Sequence, residues 1–342
     1  MRRQTAFVTG ATGLLGNNLV RELIARDFNV RALARSPEKA RQQFDDLLDV
    51  ECVFGDMEDV AAFADKLNGC DMIFHTAAYF RDSYKGGRHW NDLKRINIDG
   101  TAELLECAFQ QGVRKFVHTS SIAVLRGAPG SLIDESCDRD VAEADDYYRS
   151  KMLSDEVVRV FLEKHPEMHA SFVLPGWMWG PRDIGPTSSG QVVVDTLRGK
   201  LPGLVPGSFS VVDTRDVALA LIAAAEHGRR GERYLAAGRN VTMKELIPLI
   251  GKIGQVATPT RQLSLPLLYA FAIAQEIYAR VTGRPILLSF ATVKLMINEA
   301  GRTHFSSTKS ESELGLTFRP LEDTILDTVN WYQQSGWLAK TG

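Results

Sequence analysis

The chain has 342 residues, with 40 Lys and Arg against 42 Asp and Glu, a formal net charge of -2, and 44% hydrophobic and 24% charged residues. Such a length and composition suit one large α/β enzyme of two lobes, or two small domains, with an ample core. With charges nearly balanced and no long run of one sign, the chain lacks the basic face on which nucleic-acid affinity rests, so no nucleic-acid partner is expected.

The opening MRRQTAFVTG sets two arginines before a short apolar stretch, the outline of a secretory leader. Gly10, Thr12 and Gly13 interrupt that stretch and no small-residue cleavage site ends it, so a cytoplasmic protein is expected. Thr5–Thr9 reads instead as a first strand. It runs into TGATGLLG, with Gly10, Gly13 and Gly16, ahead of a helical pattern over 18–26. Glycine permits a tight turn and close approach of backbone to a pyrophosphate, and a helix N-terminus adds free N–H groups and the positive end of its dipole. A glycine triplet alone fits a plain turn equally well; its place between strand and helix marks a dinucleotide site. The candidate contacts are Gly10, Thr12, Gly13, Leu14, Leu15 and Gly16.

Asn29–Ala34 is a second strand. NAD sites usually carry an acid at its end for the ribose 2′-OH. Here Ala34 is followed by Arg35 and, past SPE, by Lys39. Two cations and no carboxylate favour the 2′-phosphate of NADP, with NAD as the alternative; the plain reading is that both cations solvate a helix start. Val50–Phe54 is a third strand, and Asp56, beside Met57 in the following turn, either meets the adenine amino group or caps a helix. A helix over 61–67, a fourth strand Met72–His75, a helix over 100–111, a fifth strand Lys115–Thr119 and a sixth over 170–174 follow. Strands alternating with helices imply right-handed crossovers and a mostly parallel, doubly wound sheet.

Ser121 stands at the end of the fifth strand, where ligands of open α/β sheets collect, and its hydroxyl can hold a reacting oxygen. Tyr147 and Lys151, in YYRSK, lie four apart on a helix running to Leu162, hence on one face. A phenol has a pKa of about 10 and is a poor acid-base group at neutral pH. A neighbouring ammonium stabilises its phenolate, so the pair can exchange a proton with a substrate oxygen while a cofactor exchanges a hydride. Tyr148 competes for the role, three residues from Lys151.

After Pro175, frequent Gly and Pro (Gly176, Gly180, Pro181, Gly185, Pro186, Pro202, Gly203, Pro206, Gly207) mark loops rather than regular elements. Helical patterns then cover 214–226, 243–253, 267–282 and 323–335. The most apolar segment, 263–274 (LSLPLLYAFAIA), is shorter than a membrane span and reads as a buried helix, so no membrane partner is expected. Cys52, Cys70, Cys107 and Cys137 have neither metal nor redox spacing and read as reduced thiols. His165 and His169 are four apart, but Pro166 breaks the helix that would align them, and no metal is expected. The expected architecture is a nucleotide-binding domain over 1–174, to which 208–237 returns, and a mainly helical substrate lobe from 175–207 and 238–342.

Taken in order, TGATGLLG, HTAA (75–78), HTSS (118–121) and YYRSK resemble the extended short-chain dehydrogenase/reductases, the NAD-dependent epimerase/dehydratase family, and within it the dihydroflavonol-4-reductase-like members; VVDTRDVA (211–218) and STKSESELGL extend the resemblance over most of the chain. The resemblance implies a Rossmann-type fold, tyrosine as acid-base, a lysine that also binds the nicotinamide ribose, and a serine that orients substrate. It implies further that Thr76, Ala77, Ala78 and Thr119 line the cofactor, that the backbone of Pro175 and Gly176 touches the nicotinamide, and that the protein is a homodimer built on the helices over 100–111 and 147–162. Dehydratases of the family add an Asp-Glu pair after the serine, where this chain has Ile122 and Ala123. Sugar epimerases carry an arginine where Phe209 stands and an Arg-x-Gly-Asp group before the landmark lysine, here Lys309, which this chain lacks; Arg182, Arg215 and Arg302 are the substitutes for binding a diphosphate. Tyr79, Phe80, Trp177, Trp179 and the 263–274 segment make the substrate side apolar, although the segment reads equally as lobe core. The expectation is an NAD(P)-dependent oxidoreductase of a small apolar carbonyl or alcohol. A nucleoside-diphosphate-sugar epimerase with tightly bound NAD(P) is the alternative, and a non-catalytic dinucleotide sensor the minor one.

Overall fold

The computed structural model describes residues 2–47, 49–80, 89–282 and 290–338. Numbered along the chain, the strands are β1 (Thr5–Thr9), β2 (Asn29–Ala34), β3 (Val50–Phe54), β4 (Met72–His75), β5 (Lys115–Thr119), β6 (His169–Pro175), β7 (Trp177–Trp179), β8 (Ser208–Asp213), β9 (Arg233–Ala236) and β10 (Arg239–Thr242). The helices are α1 (Leu14–Ala25), α2 (Pro37–Phe44), α3 (Trp90–Leu93), α4 (Gly100–Gln110), α5 (Asp146–Lys164), α6 (Ser188–Leu197), α7 (Thr214–His227), α8 (Met243–Gly254), α9 (Leu265–Thr282), α10 (Phe290–Asn298), α11 (Thr308–Leu314) and α12 (Leu321–Gln334).

Seven strands form one parallel sheet in the order β3-β2-β1-β4-β5-β6-β9. Its strands are short apolar runs because both faces are covered. Along β1, Ala6 and Val8 face a layer holding Leu19 and Leu23 of α1, Phe44 of α2 and Leu221 of α7. Phe7 points the other way, into Leu104 and Leu105 of α4 and Val158 and Leu162 of α5. The chain winds outward from β1 through β2 to β3, then returns to place β4 on the opposite side of β1. That reversal splays the loops leaving β1 and β4 and opens a crevice at the carboxyl ends of the strands.

A second, three-stranded sheet, β10-β8-β7, joins α6, α8 and α12 around Trp179, Val193, Ile247, Ile325 and Tyr332. Here the fold departs from the sequence reading. The Gly- and Pro-rich stretch after Pro175 holds β7, α6 and β8, since Trp177 to Trp179 pair with Val211 to Asp213 and so satisfy their backbone within short elements that the punctuation flanks. Strand β9 was not foreseen either, because four residues carry too little periodicity. The 61–67 pattern folds as a 3-10 helix over Val60–Leu67, capped by Asp59. The returning segment divides: α7 and β9 join the large sheet, while β8 belongs to the small one.

The expectation of a buried helix over 263–274 is corrected. Among the described residues of α9, Leu268 and Ala272 are the fully buried ones, against Val205, Leu263, Tyr269 and Val293. Leu265, Leu267, Phe271, Ile273 and Ile277 are all exposed, because no layer among the described residues covers the outer side of the helix.

Candidate active site

The turn after β1 is as tight as its glycines allow. Gly10 has φ +64°, and a Cβ there would lie 2.7 Å from the backbone N of Ala77, so the glycine loop and the HTAA turn after β4 touch across the crevice. Gly13 N–H donates to Gly10 O at 3.0 Å. Gly16, in the first turn of α1, backs onto the carbonyl of Gly10. Thr9 ties the two turns together: its hydroxyl accepts the N–H groups of Thr76 and Ala77, each at 3.1 Å, and Thr76 Oγ1 donates to Thr9 O at 2.6 Å. Helix α1 begins with no capping side chain and no acid in its first turn, so its N–H groups and dipole face the crevice uncompensated. These features fit a dinucleotide pyrophosphate. Leu14, Leu15 and Met57 are buried by their side chains in the core, leaving backbone as what they can offer; Thr12, Gly13 and Ala78 remain accessible.

Beyond β2, Arg35 is largely exposed, and its guanidinium approaches Asp56 to 3.7 Å, which places the two candidates for the adenosine end side by side. Asp56 is not the cap of the next helix, a role taken by Asp59; its carboxylate accepts the N–H of Glu58 at 3.1 Å instead. Lys39 is exposed in the first turn of α2, whose cap is Ser36.

At the carboxyl end of β5 the catalytic candidates converge. Lys151 is buried, and its Nζ donates to Thr119 O at 2.7 Å. Tyr147, one turn back on α5, is 7% exposed; it packs with Ala123 and Leu93, and its ring meets that of Phe80 edge-on at 4.7 Å. Ser121 Oγ accepts the N–H of Ala123 at 3.1 Å, capping a short 3-10 turn and fixing the hydroxyl beside the phenol's packing partner. Tyr148 is drawn away, with the Arg139 guanidinium 4.6 Å over its ring. Thr119 Oγ1, buried beside Lys151, has no hydrogen-bond partner among the described residues, an orphan that a bound ribose or amide satisfies. Pro175 closes β6 at the same end of the sheet, and Gly176 N–H is already paired with Ala236 O at 3.0 Å.

Beneath these groups runs a buried polar layer that the sequence reading missed. Ser120 Oγ donates to Asp155 at 2.6 Å, His118 Nε2 lies 3.2 Å from the same carboxylate, and His75 bridges Thr9 (2.8 Å) and Thr101 (3.0 Å). Asn97 spans Tyr79 and Ser150. His75, His118 and Ser120 stand within the HTAA and HTSS strings without a role read for them, and Asp155 lies four residues past Lys151 on the same helical face. Burial pulls both imidazoles below their usual range, His75 furthest, so the layer holds neutral rings around one carboxylate.

Burial also pulls the Lys151 ammonium down, to about 8, while the charge of Asp155 acts in the opposite direction. The lysine therefore still carries its proton at pH 7. Because its folded value lies below the usual 10.5, the unfolded chain binds more protons between those two values, and stability must rise with pH across that window. We expect the urea midpoint to climb from about pH 8 to about 10.5 by an amount worth on the order of 3 kcal/mol, and Lys151→Met to flatten the climb. A wild-type profile as flat as the variant's refutes the buried ammonium.

The apolar surroundings sort differently from expectation. Phe80 and Tyr79 lie at the phenol. Trp179 is wholly buried in the small lobe's core, and Trp177 donates to Ser188 Oγ at 3.2 Å and meets the Phe209 ring at a tilt. Among the described residues no group of three His, Cys, Asp or Glu side chains is placed to hold a metal, and no helix is long and apolar enough to cross a membrane.

The chain is similar to known proteins. The model of the NAD dependent epimerase/dehydratase family matches residues 6–237. "Sterol demethylase protein B" of Methylococcus capsulatus is 32% identical over 340 residues, covering 98% of this chain and 100% of its own. The "Putative dihydroflavonol 4-reductase" of Synechocystis sp. is 29% identical over 340 residues, covering 97% and 95%. The crystal structure of a dTDP-glucose 4,6-dehydratase from Streptomyces venezuelae, with NAD bound, superimposes with a TM-score of 0.77 at 22% identity over 98% of each chain, a likeness of fold.

Proposed function

The chain belongs to the NAD dependent epimerase/dehydratase family, and from that premise we propose that it is an NADP-dependent reductase of an apolar carbonyl compound, with Tyr147 as the acid. The observation that carries this reading is the buried pair on α5: a phenol packed in an apolar setting and a buried ammonium one turn away, both at the carboxyl end of β5. A nicotinamide, when bound, supplies or accepts the hydride. The glycine loop, Thr76, Ala77, Thr119 and Lys151 hold and orient the dinucleotide, and Ser121 holds the substrate oxygen. Tyr147 Oη gives its proton to that oxygen, and the Lys151 ammonium stabilises the phenolate left behind. Phe80 and Tyr79 exclude water from the proton's path.

Two features favour a carbonyl over a nucleoside-diphosphate sugar. Arg215 is claimed by Asp213 and Asp327, each at 2.7 Å, and Arg302 by the carbonyls of Gly127 and Asn298, which leaves Arg182 alone of the three substitute arginines for a diphosphate. Two of the relatives described above are named for a sterol and a dihydroflavonol, both fused-ring compounds without a diphosphate. The same reading includes a homodimer built on α4 and α5, which pack against one another within the subunit.

The test is NADPH oxidation against apolar aldehydes and ketones alongside UDP-sugars, with Arg35→Asp in parallel. Net NADPH loss with a carbonyl is expected, and Arg35→Asp should raise the KM for NADPH by about tenfold while sparing that for NADH, the worth of a lost charge-assisted contact. Sugar interconversion without net cofactor loss overturns the reductase; unchanged NADPH affinity in the variant overturns the 2′-phosphate contact.

A further inference from the structure

Helix α9 is amphipathic in the wrong sense. Its inner side is set by Leu268 and Ala272, and the polar residues Gln275 and Glu276 lie toward that side, only partly exposed. Glu276 is committed there, accepting the N–H of Phe290 at the start of α10 at 2.8 Å. Among the described positions of α9, the outward ones are Pro266, Leu267, Ala270, Phe271, Ile273, Ala274 and Ile277, each apolar and each exposed. Phe290 and Ile297 of α10 are exposed as well, with Lys294 between them on the same helix face. A soluble surface helix shows the reverse pattern, polar outward and apolar inward.

Charge is distributed to match. Between Arg261 and Asn298 the sequence has four cations, Arg261, Arg280, Arg284 and Lys294, against Glu276 alone, a net charge of +3; the rest of the chain has 36 cations against 41 carboxylates, net -5. An apolar face flanked by the exposed cations Arg261 and Lys294, in a stretch of net charge +3, is the chemistry of an interfacial helix on an anionic bilayer, where apolar side chains enter the acyl boundary and cations meet headgroups. The hairpin is also anchored to the body. Glu299, just past α10, accepts from Arg139 at 2.8 Å, and Arg302 donates to Gly127 O at 3.1 Å, both on the segment that leads from Ser121 to α5.

We propose that the outward face of α9 and α10 is a docking surface for anionic lipid bilayers, which makes this a peripheral membrane protein. The inference reverses the expectation of no membrane partner and does not depend on which reaction the site performs.

The test is flotation of the full chain with phosphatidylcholine vesicles containing about one third phosphatidylglycerol, and with pure phosphatidylcholine vesicles. Binding to the anionic vesicles is expected, weakened at least about tenfold by Phe271→Asp with Ile277→Asp, and weakened by Lys294→Glu or by raised salt. These positions are exposed, so thermal melts should stay close to wild type and show that the variants fold. Three results each overturn the proposal: no flotation on anionic vesicles, flotation undiminished by the paired substitution, or a dimer that the paired substitution dissolves without any vesicle binding, which assigns the face to a second copy of the chain.

Discussion

Tyr147→Phe is expected to lower kcat by about 10²- to 10⁴-fold, the usual contribution of a positioned acid-base group, while leaving the Kd for NADPH within about twofold of wild type. The substitution keeps the ring that packs against Phe80, Ala123 and Leu93, so the pocket and α5 stay in place. What disappears is the hydroxyl proposed as the proton donor. Steady-state NADPH oxidation with an accepted carbonyl measures the first quantity and quenching of nucleotide fluorescence the second. Turnover equal to wild type would move the acid elsewhere, with Ser121 the next group on the same strand end. Loss of NADPH binding in equal measure would instead make Tyr147 a cofactor contact alone.

Gly16→Ala should disable the dinucleotide site through a single methyl group. A Cβ at this position would lie 2.7 Å from Ala11 Cα and closer still to the carbonyl of Gly10, both backbone atoms with no rotamer to escape into. Helix α1 must therefore shift away from the turn, and its N–H groups leave the position where they face the crevice. We expect at least about a hundredfold loss of NADPH affinity and a Tm lowered by about 4 °C or more. Gly112→Ala is the matched control. Its φ is +85° and nothing lies within 4 Å of the added carbon, so it has backbone strain without collision. It should cost about 1 kcal/mol and leave nucleotide affinity unchanged. If Gly16→Ala binds NADPH as wild type does, the glycine loop is a structural turn and the dinucleotide site must lie elsewhere.

Local sequence signals were sufficient wherever a residue's role depends on near neighbours. Five strands have the bounds that their largely apolar runs imply, since a strand covered on both faces reads as a near-continuous apolar run. The turn from β1 into α1 was legible because only glycine tolerates the positive φ and the close backbone contact found there. The Tyr147–Lys151 pair was legible because a four-residue spacing on a helix guarantees a shared face. The short strands β7, β9 and β10 were not, as segments of three or four residues have no period of their own and owe their form to partners remote in sequence.

By itself, then, the order of residues determined the alternation of the first strands and helices, the glycine turn and the helical spacing of the phenol and the ammonium, each of them set by residues near one another in the chain. Tertiary structure alone decided that Thr9 and Asp155 lie beneath the site, that Trp179 is core, that Arg215 is already neutralised, and that the most apolar helix faces outward. Burial and pairing are set by whatever else folds over a residue. Hydropathy shows how much a segment gains by leaving water; it contains no information on which neighbour, if any, arrives to cover it.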